Sequence, residues 1–193
     1  MRKLTLFQDA ISRGTMLFIG SSLREKKGMA STSSSIYLHI GSEETQVLID
    51  GDLQLLTLGS QLTSLGYFRH QPPTPDEMEN AIMMVEDEVY RLRHDILPGA
   101  TLYSEDNNIR AIARLSGVAE NEQMTLSLDA VERTFDRLAL VINGRPASFE
   151  GIPDGNDFAA TLLILREFMH HLQFSEIVIK GAKFEIQGQH STN

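Results

Sequence analysis

Residues 36–58, IYLHIGSEETQVLIDGDLQLLTL, contain the clearest strand pattern of the chain. Its β-rich runs lie at residues 36–40, 45–49 and 53–58. Gly41-Ser42 separates the first two runs, and Asp50-Gly51 separates the last two. Asp-Gly between two such runs is typical of a tight β-hairpin turn. The stretch therefore predicts a meander of three strands.

A long helix is predicted to follow the meander. Thr74 is a favourable N-cap residue, Pro75 suits the first helical position, and Glu77 stands where it can close a capping box. Apolar side chains then recur at 4-3-4-3-4 spacing, at Met78, Ile82, Val85, Val89, Leu92 and Ile96. This spacing places one apolar stripe on the core side of the helix until Pro98-Gly99 ends it.

The segments after this helix alternate between strand and helix patterns. Strands are predicted at residues 100–103 and 176–180, and a weaker one at 184–187, with a frayed tail at 189–193. Helices are predicted at residues 108–116, after the N-cap Ser127, and after the turn Asp154-Gly155-Asn156. Residues 1–35 read as a helix with Leu4, Phe7 and Ile11, a short strand at 16–19, and a Ser-rich loop.

The composition restricts the class of protein. The 193 residues are 41% hydrophobic, which is enough to bury the core of one domain. The absence of Cys excludes disulfides, thiolate metal sites and a cysteine nucleophile, and it fits the reducing cytoplasm, where we expect the protein. No stretch approaches the roughly 20 apolar residues that span a bilayer. A net charge of −9 opposes nucleic acid and anionic membranes, so neither is expected as a partner.

Five segments resemble, in order, the second half of the exopolyphosphatase/guanosine pentaphosphate phosphohydrolase (Ppx/GppA) phosphatases. Residues 38–47, LHIGSEETQV, are similar to the family's Leu-Asp-Ile-Gly-Gly-Gly-Ser-Thr-Glu-Leu, and residues 72–77 to the Pro-rich start of its next helix. Residues 110–115, RAIARL, resemble its Ala-Leu-Ala-Arg-Leu helix. Residues 151–157 resemble its Gly-Leu-Pro segment, and residues 162–179 its closing helix and strand.

The resemblance implies a fold and a division of the chain. The fold is an α/β, ribonuclease H-like or actin-like (ASKHA) lobe, with a mixed sheet flanked by helices, at residues 36–188. Residues 1–35 are similar to the end of the family's first lobe, followed by a flexible Ser-rich loop, and residues 189–193 are a tail. In the family the first lobe contributes one phosphate loop, and the two lobes close around the scissile phosphate.

The resemblance also implies that the phosphate loops are altered here. In the first loop the only remaining glycine is Gly41, and the residues that follow it are Ser42, Glu43, Glu44 and Thr45. His39 stands in place of the acidic residue that helps the family to place Mg²⁺. Glycine amides hold phosphate because no Cβ blocks their approach, whereas carboxylates repel it. The first loop is therefore predicted to have lost the ability to bind phosphate.

The second loop and the catalytic base show similar losses. Glu105 and the degenerate phosphate-loop positions Asp106, Asn107 and Asn108 stand near the place of the family's glycine pair. These residues precede a helix, and their carboxylates are predicted to cap its N-terminus. Glu25 is the nearest counterpart of the family's base, and it is out of register. Other interpretations remain open: residues 42–45 as a polar β-turn, residues 106–108 as an N-cap, and both loops together as an acidic cation site.

The remaining polar clusters are given weaker interpretations. His170 and His171 are adjacent on a helix, point about 100° apart and cannot easily share one ion, so a partly exposed pair is predicted. His39, His70 and His94 are assigned no role. The basic cluster Arg24, Lys26 and Lys27, with the serines at 31–35, is a solvated loop or a docking or phosphorylation segment.

Three functions follow from these patterns. The first is a catalytically inactive Ppx/GppA-like lobe that acts by binding, either to itself or to a protein partner, without a cofactor. The second is an active exopolyphosphatase or pppGpp phosphohydrolase, a phosphoric anhydride hydrolase using Mg²⁺, whose site a missing lobe or a partner chain completes. The third is a structural oligomerisation module, which would expose a large apolar patch.

Overall fold

The computed structural model describes residues 34–181. Within this range the strands are β1 (Ser35–Ile40), β2 (Thr45–Ile49), β3 (Asp52–Leu56), β4 (Thr101–Ser104), β5 (Gln123–Ser127) and β6 (Glu176–Lys180). The helices of the same range are α1 (Ser60–Tyr67), α2 (Pro75–Tyr90), α3 (Asn107–Leu115), α4 (Leu128–Ile142), α5 (Ala147–Glu150) and α6 (Asn156–His171).

The strands of residues 34–181 form one mixed sheet in the order β3-β2-β1-β4-β6-β5. β1 pairs antiparallel with β2 and parallel with β4, and β6 is parallel to β4 and antiparallel to β5. The predicted three-strand meander is confirmed, because β3 continues it beside β2. Asp50 and Gly51 both have positive φ, 51° and 103°, as the tight hairpin turn requires.

One face of the sheet is buried and the other is not. Successive side chains of a strand point to opposite faces. In β1, Ile36, Leu38 and Ile40 are buried, whereas Tyr37 and His39 are exposed. The same alternation runs through β4 to β6, so the helices that pack on the sheet within residues 34–181 lie on the buried face.

Helix α6 forms the centre of the helical layer. Its residues from Ala159 to Met169 are all buried, and it contacts α1, α2, α3 and α4 as well as β1. A helix that is apolar nearly all round belongs in a core. Arg166 and Glu167 are the charged exceptions on this helix, and they pair with each other. The predicted helix after Asp154-Gly155-Asn156 is thus confirmed, and it organises the fold.

The predicted start signals of α2 and α4 are confirmed. The Thr74 side chain accepts the Glu77 N–H, and the Glu77 carboxylate accepts the Thr74 N–H, which is the reciprocal capping box. Ser127 accepts the Ala130 N–H at the start of α4. Gly117 follows α3 with φ 86°, as a helix C-terminus favours. These signals are local, which explains why sequence alone predicts them.

The predicted end of α2 at Pro98-Gly99 is wrong. The helix ends at Tyr90, and the next turns tighten, with i to i+3 hydrogen bonds such as Leu92 N–H to Val89 and Asp95 N–H to Leu92. Leu92 is still buried, so the apolar stripe continues through these turns. The spacing of apolar residues correctly predicted which side chains are buried, but it did not distinguish an α-helix from tighter turns.

Three elements were not predicted: α1, β5 and the short α5. Helix α1 has the sequence SQLTSLGY, in which polar residues are buried, so that its apolar periodicity is weak. β5 lies at the edge of the sheet beside β6 and has only Met124 and Leu126 buried. The predictions for residues 4–11, 16–19, 184–187 and 189–193 lie outside the described residues. None of the helices within residues 34–181 has the length and apolar character to cross a bilayer.

Candidate functional site

The first loop, between β1 and β2, is closed by its own backbone. The Gly41 N–H donates to the Glu44 carbonyl over 2.9 Å and closes a polar turn at residues 41–44, one residue before the 42–45 bounds that the sequence offered as one interpretation. The Thr45 hydroxyl is fully buried and donates to the Leu58 carbonyl over 2.8 Å. Glu44 accepts a hydrogen bond from Gln46, while Ser42 and Glu43 are exposed. Gly41 and Thr45 thus have structural partners within the fold.

The carbonyls of this loop cap helix α1. The first N–H groups of a helix lack partners within it and form a natural anion site. Here the Ser60 N–H donates to the Gly41 carbonyl over 2.9 Å, and the N–H groups of Gln61 and Leu62 both donate to the Ser42 carbonyl over 3.0 Å. The donors that could have faced an anion are therefore already bonded. The sequence did not predict α1 and therefore did not predict this contact. Gly59-Ser60, at the start of the helix, was the sequence feature that could have indicated it.

Gly59, immediately before α1, is required by this contact. A Cβ at this position would lie 2.3 Å from the Ser42 carbonyl oxygen and 2.5 Å from backbone atoms of Ser42 and Glu43. No real Cβ tolerates such contacts with backbone, so only glycine allows α1 to approach the loop. The glycine beside the first loop therefore supports close packing of the loop on the helix.

Asp106, in the second loop, joins the two loops. Its Oδ2 accepts the backbone N–H of Ile40 over 2.7 Å, and its Oδ1 lies 2.7 Å from Nδ1 of His39. The Asp106 side chain is 9% exposed, and that of His39 is 57% exposed. The loops that follow β1 and β4 are thus connected through a nearly buried carboxylate.

The prediction that carboxylates cap α3 is wrong for Asp106. Its backbone stands at the N-cap position, but its side chain makes no cap hydrogen bond, because it reaches β1 instead. Asn107 and Asn108 form the first turn of α3 and are exposed, as is Glu105. The Asp106 carboxylate still places negative charge near the positive end of the helix dipole. His39, to which no role was assigned, is the partner that sequence spacing did not show.

An open depression of about 760 Å³ lies beside the His39–Asp106 pair. It is lined by side chains of β1 to β3 and of the second loop, namely Tyr37, Leu38, His39, Gln46, Leu48, Leu53, Ser104, Glu105, Asp106, Asn107 and Asn108. Among the residues of 34–181 that line it, two are carboxylates and none is Lys or Arg. A carboxylate 4 Å from an anion costs about 1 kcal/mol in water and about 4 kcal/mol at an effective dielectric of 20. The depression therefore disfavours phosphate.

The described residues do not fit Mg²⁺. Magnesium takes oxygen ligands in nearly octahedral geometry. His39 presents a nitrogen where the family has an acidic residue, and each Asp106 oxygen already has a partner, Ile40 N–H or His39 Nδ1. Within residues 34–181 no group of three or more His, Cys, Asp or Glu side chains is arranged to hold a metal ion.

The other predicted polar residues are dispersed. His170 lies 3.5 Å from Glu132, and His171 lies 3.0 Å from Glu167, so the adjacent histidines face different acids and are partly exposed, as predicted. Asp157, at the start of α6, accepts the Ser64 hydroxyl over 2.6 Å and ties α6 to α1. Glu25 lies outside the described residues.

Comparisons with solved structures identify the fold. The Ppx/GppA phosphatase of Aquifex aeolicus, in its type II variant, is similar with a TM-score of 0.60 and 15% identity, over 77% of this chain and 53% of that one. A second structure of the Aquifex aeolicus PPX-GPPA enzyme has a TM-score of 0.62 and 14% identity, over 77% and 54%. An exopolyphosphatase from Cytophaga hutchinsonii has a TM-score of 0.59 and 14% identity, over 78% and 54%.

These likenesses confirm the predicted Ppx/GppA-like, actin-like α/β fold, with its mixed sheet and helices. The chain spans about half the length of the structures that it matches. Neither a protein-family model nor a curated protein matches the sequence.

Proposed function

We propose that this chain is a Ppx/GppA-like lobe that does not hydrolyse phosphoanhydrides and acts by binding to itself or to a protein partner. One observation carries the proposal: the Asp106 carboxylate lies between the two loops, bonded to the Ile40 N–H and to His39. A carboxylate in this position supplies internally the negative charge that a phosphate would otherwise bring.

Phosphoryl transfer depends on positioning and on neutralising charge with N–H donors, cations and metal ions. In this chain the amides at the start of α1 are bonded to Gly41 and Ser42 carbonyls. In the described part of the chain, the depression beside the loops is lined by the carboxylates of Glu105 and Asp106 and by no Lys or Arg. The described residues therefore offer few of the interactions that stabilise a transferring phosphoryl group.

The direct test is a phosphate-release assay on polyphosphate and pppGpp with Mg²⁺, using the full chain. We expect no release above that of a mock purification. Turnover above about 1 per second, within the range of ordinary enzymes, would overturn the proposal. A thermal-shift series with phosphate, polyphosphate and Mg²⁺ gives a second measurement, for which we expect no concentration-dependent increase in Tm.

The chain's length relative to the similar structures favours a second candidate. Because it spans about half of each matched phosphatase, another lobe or chain could supply the remaining loop and base. In that case the activity would be a Mg²⁺-dependent phosphoric anhydride hydrolase. Native mass spectrometry of the protein purified from its own cells would identify such a partner. Phosphate release by the complex, but not by the isolated chain, would favour this candidate over the first.

A further inference from the structure

Strand β3 forms one edge of the described sheet and turns part of its backbone outward. The two residues that flank the turn Asp50-Gly51 face each other and form a hydrogen-bonded pair. Hydrogen-bonded and non-hydrogen-bonded pairs alternate along antiparallel strands, so the N–H and C=O groups of Leu53 and Leu55 point away from β2. Among residues 34–181 no group donates a hydrogen bond to these four groups or accepts one from them.

This unpaired edge is short, because it ends at Thr57. Two residues after Leu55, the Thr57 N–H points outward in its turn and donates to the Glu88 carboxylate over 2.9 Å. The same Glu88 oxygen accepts a hydrogen bond from Arg91 over 2.6 Å. The end of α2 therefore satisfies the next outward donor, and the four groups of Leu53 and Leu55 are the part of the edge that remains open.

The residues of this edge favour pairing with another strand. Exposed edge strands are usually protected by Lys, Pro or a bulge. Residues 53–58, LQLLTL, contain neither a charge nor Pro, and the side chains of Leu53 and Leu55 are 56% and 51% exposed. At the other edge of the described sheet, β5 exposes the polar side chains of Gln123 and Thr125. Of the two edges, β3 is therefore the one that suits an added apolar strand.

The open groups select a single register for a second copy of the chain. In an antiparallel pair that is symmetric about Gln54, Leu53 of each copy faces Leu55 of the other. Both of these pairs are hydrogen-bonded, so that every open N–H and C=O group of the two edges has a partner. Symmetry about Leu53 would instead place Leu55 opposite Gly51 in the turn. Symmetry about Leu55 would place Leu53 opposite Thr57, whose N–H already binds Glu88.

The side chains are complementary in the same register. Residues that face each other in an antiparallel pair lie on one face of the sheet. Leu53 and Leu55 of the two copies therefore form a row of leucines on the exposed face. The pairing also brings Asp52 of each copy to the end of the other β3 where Glu88 holds Arg91. The Arg91 side chain is 63% exposed and has N–H donors beyond the one that Glu88 uses, so acid and base lie at matching ends.

We propose that two copies of this chain associate through their β3 edges, antiparallel and symmetric about Gln54, and so join their sheets. This inference rests on the part of the proposed function in which the chain binds to itself, and it names the surface. The net charge of −9 on each chain opposes association at long range. The Debye length is about 8 Å at physiological ionic strength, so the contacts at the edge decide the balance. Because the contact is small, the association is weak.

The absence of Cys in the chain permits a disulfide test of the register. In the proposed pair the two Gln54 residues face each other without hydrogen bonds, with Cα atoms about 4.5 Å apart, which suits a disulfide. The two Asp52 residues lie roughly 14 Å apart, which is too far for one. We expect Gln54→Cys to form a disulfide-linked dimer at least about ten times faster than Asp52→Cys under the same mild oxidant. Because Asp52 is the more exposed residue, random collisions favour this control, and equal rates would overturn the proposal.

A second measurement follows association without a cross-link. Sedimentation velocity of the full chain from about 1 to 300 µM covers the range in which a weak dimer dissociates. We expect a concentration-dependent dimer, and we expect Leu55→Lys, which places a charge on the edge, to raise its dissociation constant at least about tenfold. Leu65→Lys, at an 83% exposed position of α1, is the control and should associate like the unmodified chain. A monomer at every concentration, or equal effects of the two replacements, would contradict the proposal.

The results separate this inference from the proposed function. A chain that stays monomeric and releases no phosphate sinks the edge pairing alone, and this includes the case in which residues 1–33 or 182–193 occupy the edge. A chain that forms the Gln54→Cys dimer and also hydrolyses polyphosphate sinks the claim of inactivity, while the pairing stands.

Discussion

The Asp106 carboxylate accepts the backbone N–H of Ile40 over 2.7 Å and connects the end of β1 to the loop after β4. These two residues are far apart in the sequence, and parallel pairing of β1 with β4 brings them together. Since the carboxylate is nearly buried, removing it leaves an N–H group without a partner.

Asp106→Ala is expected to reduce the free energy of unfolding by about 1–3 kcal/mol, because a charge-assisted hydrogen bond is lost and the Ile40 N–H is left unsatisfied. Asp106→Asn, which keeps an acceptor, should cost less. Denaturant unfolding measures both. The control is Glu105→Ala, an exposed neighbour whose replacement should change stability by less than about 0.5 kcal/mol. Equal effects at positions 105 and 106 would show that the connection between the loops is not stabilising.

A pair of glycine replacements tests the packing of α1 on the first loop. Gly59→Ala places a Cβ 2.3 Å from the Ser42 carbonyl oxygen, so we expect a loss of about 1–3 kcal/mol or more. Gly66→Ala, within α1, meets nothing within 4 Å and should stabilise the protein by up to about 1 kcal/mol, because alanine favours a helix. Thermal unfolding should therefore shift in opposite directions for the two variants. Shifts of the same sign would contradict the assigned contact.

The lowered pKa of Glu77 predicts that the free energy of unfolding falls in acid. Burial raises its pKa, but hydrogen bonds from the Thr74 N–H, the His70 side chain and the N–H groups of Arg69 and His70 outweigh this effect and lower the pKa to about 2. A lowered pKa stabilises the fold above the ordinary value of 4.5, and the contribution is lost as the pH falls toward 2.

The variant Glu77→Gln isolates the contribution of the Glu77 charge to stability from that of the other acidic groups. Because glutamine can still close the capping box, the variant should lose mainly the acid-dependent part of the stability. Unfolding at a series of pH values should give a smaller drop between pH 4.5 and 2 for Glu77→Gln than for the unmodified chain. Glu79→Gln, on the same helix, serves as the control. Parallel curves for all three proteins would refute the prediction.

The raised pKa of His171 predicts that the free energy of unfolding falls as the pH rises, the opposite of the Glu77 effect. A hydrogen bond to Glu167 raises the His171 pKa above its usual 6.5, against the effect of burial, and the charges of Glu167 and Glu86 add to the rise while Arg166 opposes it. The stabilising contribution is therefore complete below pH 6.5 and is lost as the pH rises through the folded-state pKa.

We expect His171→Gln to flatten this loss of stability on the alkaline side of pH 6.5. NMR titration of the imidazole gives the folded-state pKa directly, and denaturant unfolding across the same range gives the stability. His94→Gln, at an exposed position after α2, serves as the matched control. A folded-state pKa at or below the usual value would disprove the assigned pairing with Glu167.

Several features of the site could be predicted from the sequence because their causes are local. The polar turn after Gly41 follows from that glycine and the polar residues after it. The loss of phosphate affinity in the first loop stays a prediction from residue types. In contrast, the role of Asp106 depends on the pairing of β1 with β4, for which no local pattern provides evidence.

Local patterns in the sequence predicted the meander at residues 36–58, the capping box of α2 and the helices that begin after Ser127 and after Asp154-Gly155-Asn156. These follow from side-chain periodicity and from hydrogen bonds between residues a few positions apart. The strand order, the capping of α1 by loop carbonyls, the contact of Asp106 with Ile40 and His39, and the uncovered face of the sheet emerge only in the folded domain. Each of these requires segments distant in sequence to meet, and such contacts depend on the packing of the whole domain rather than on neighbouring residues.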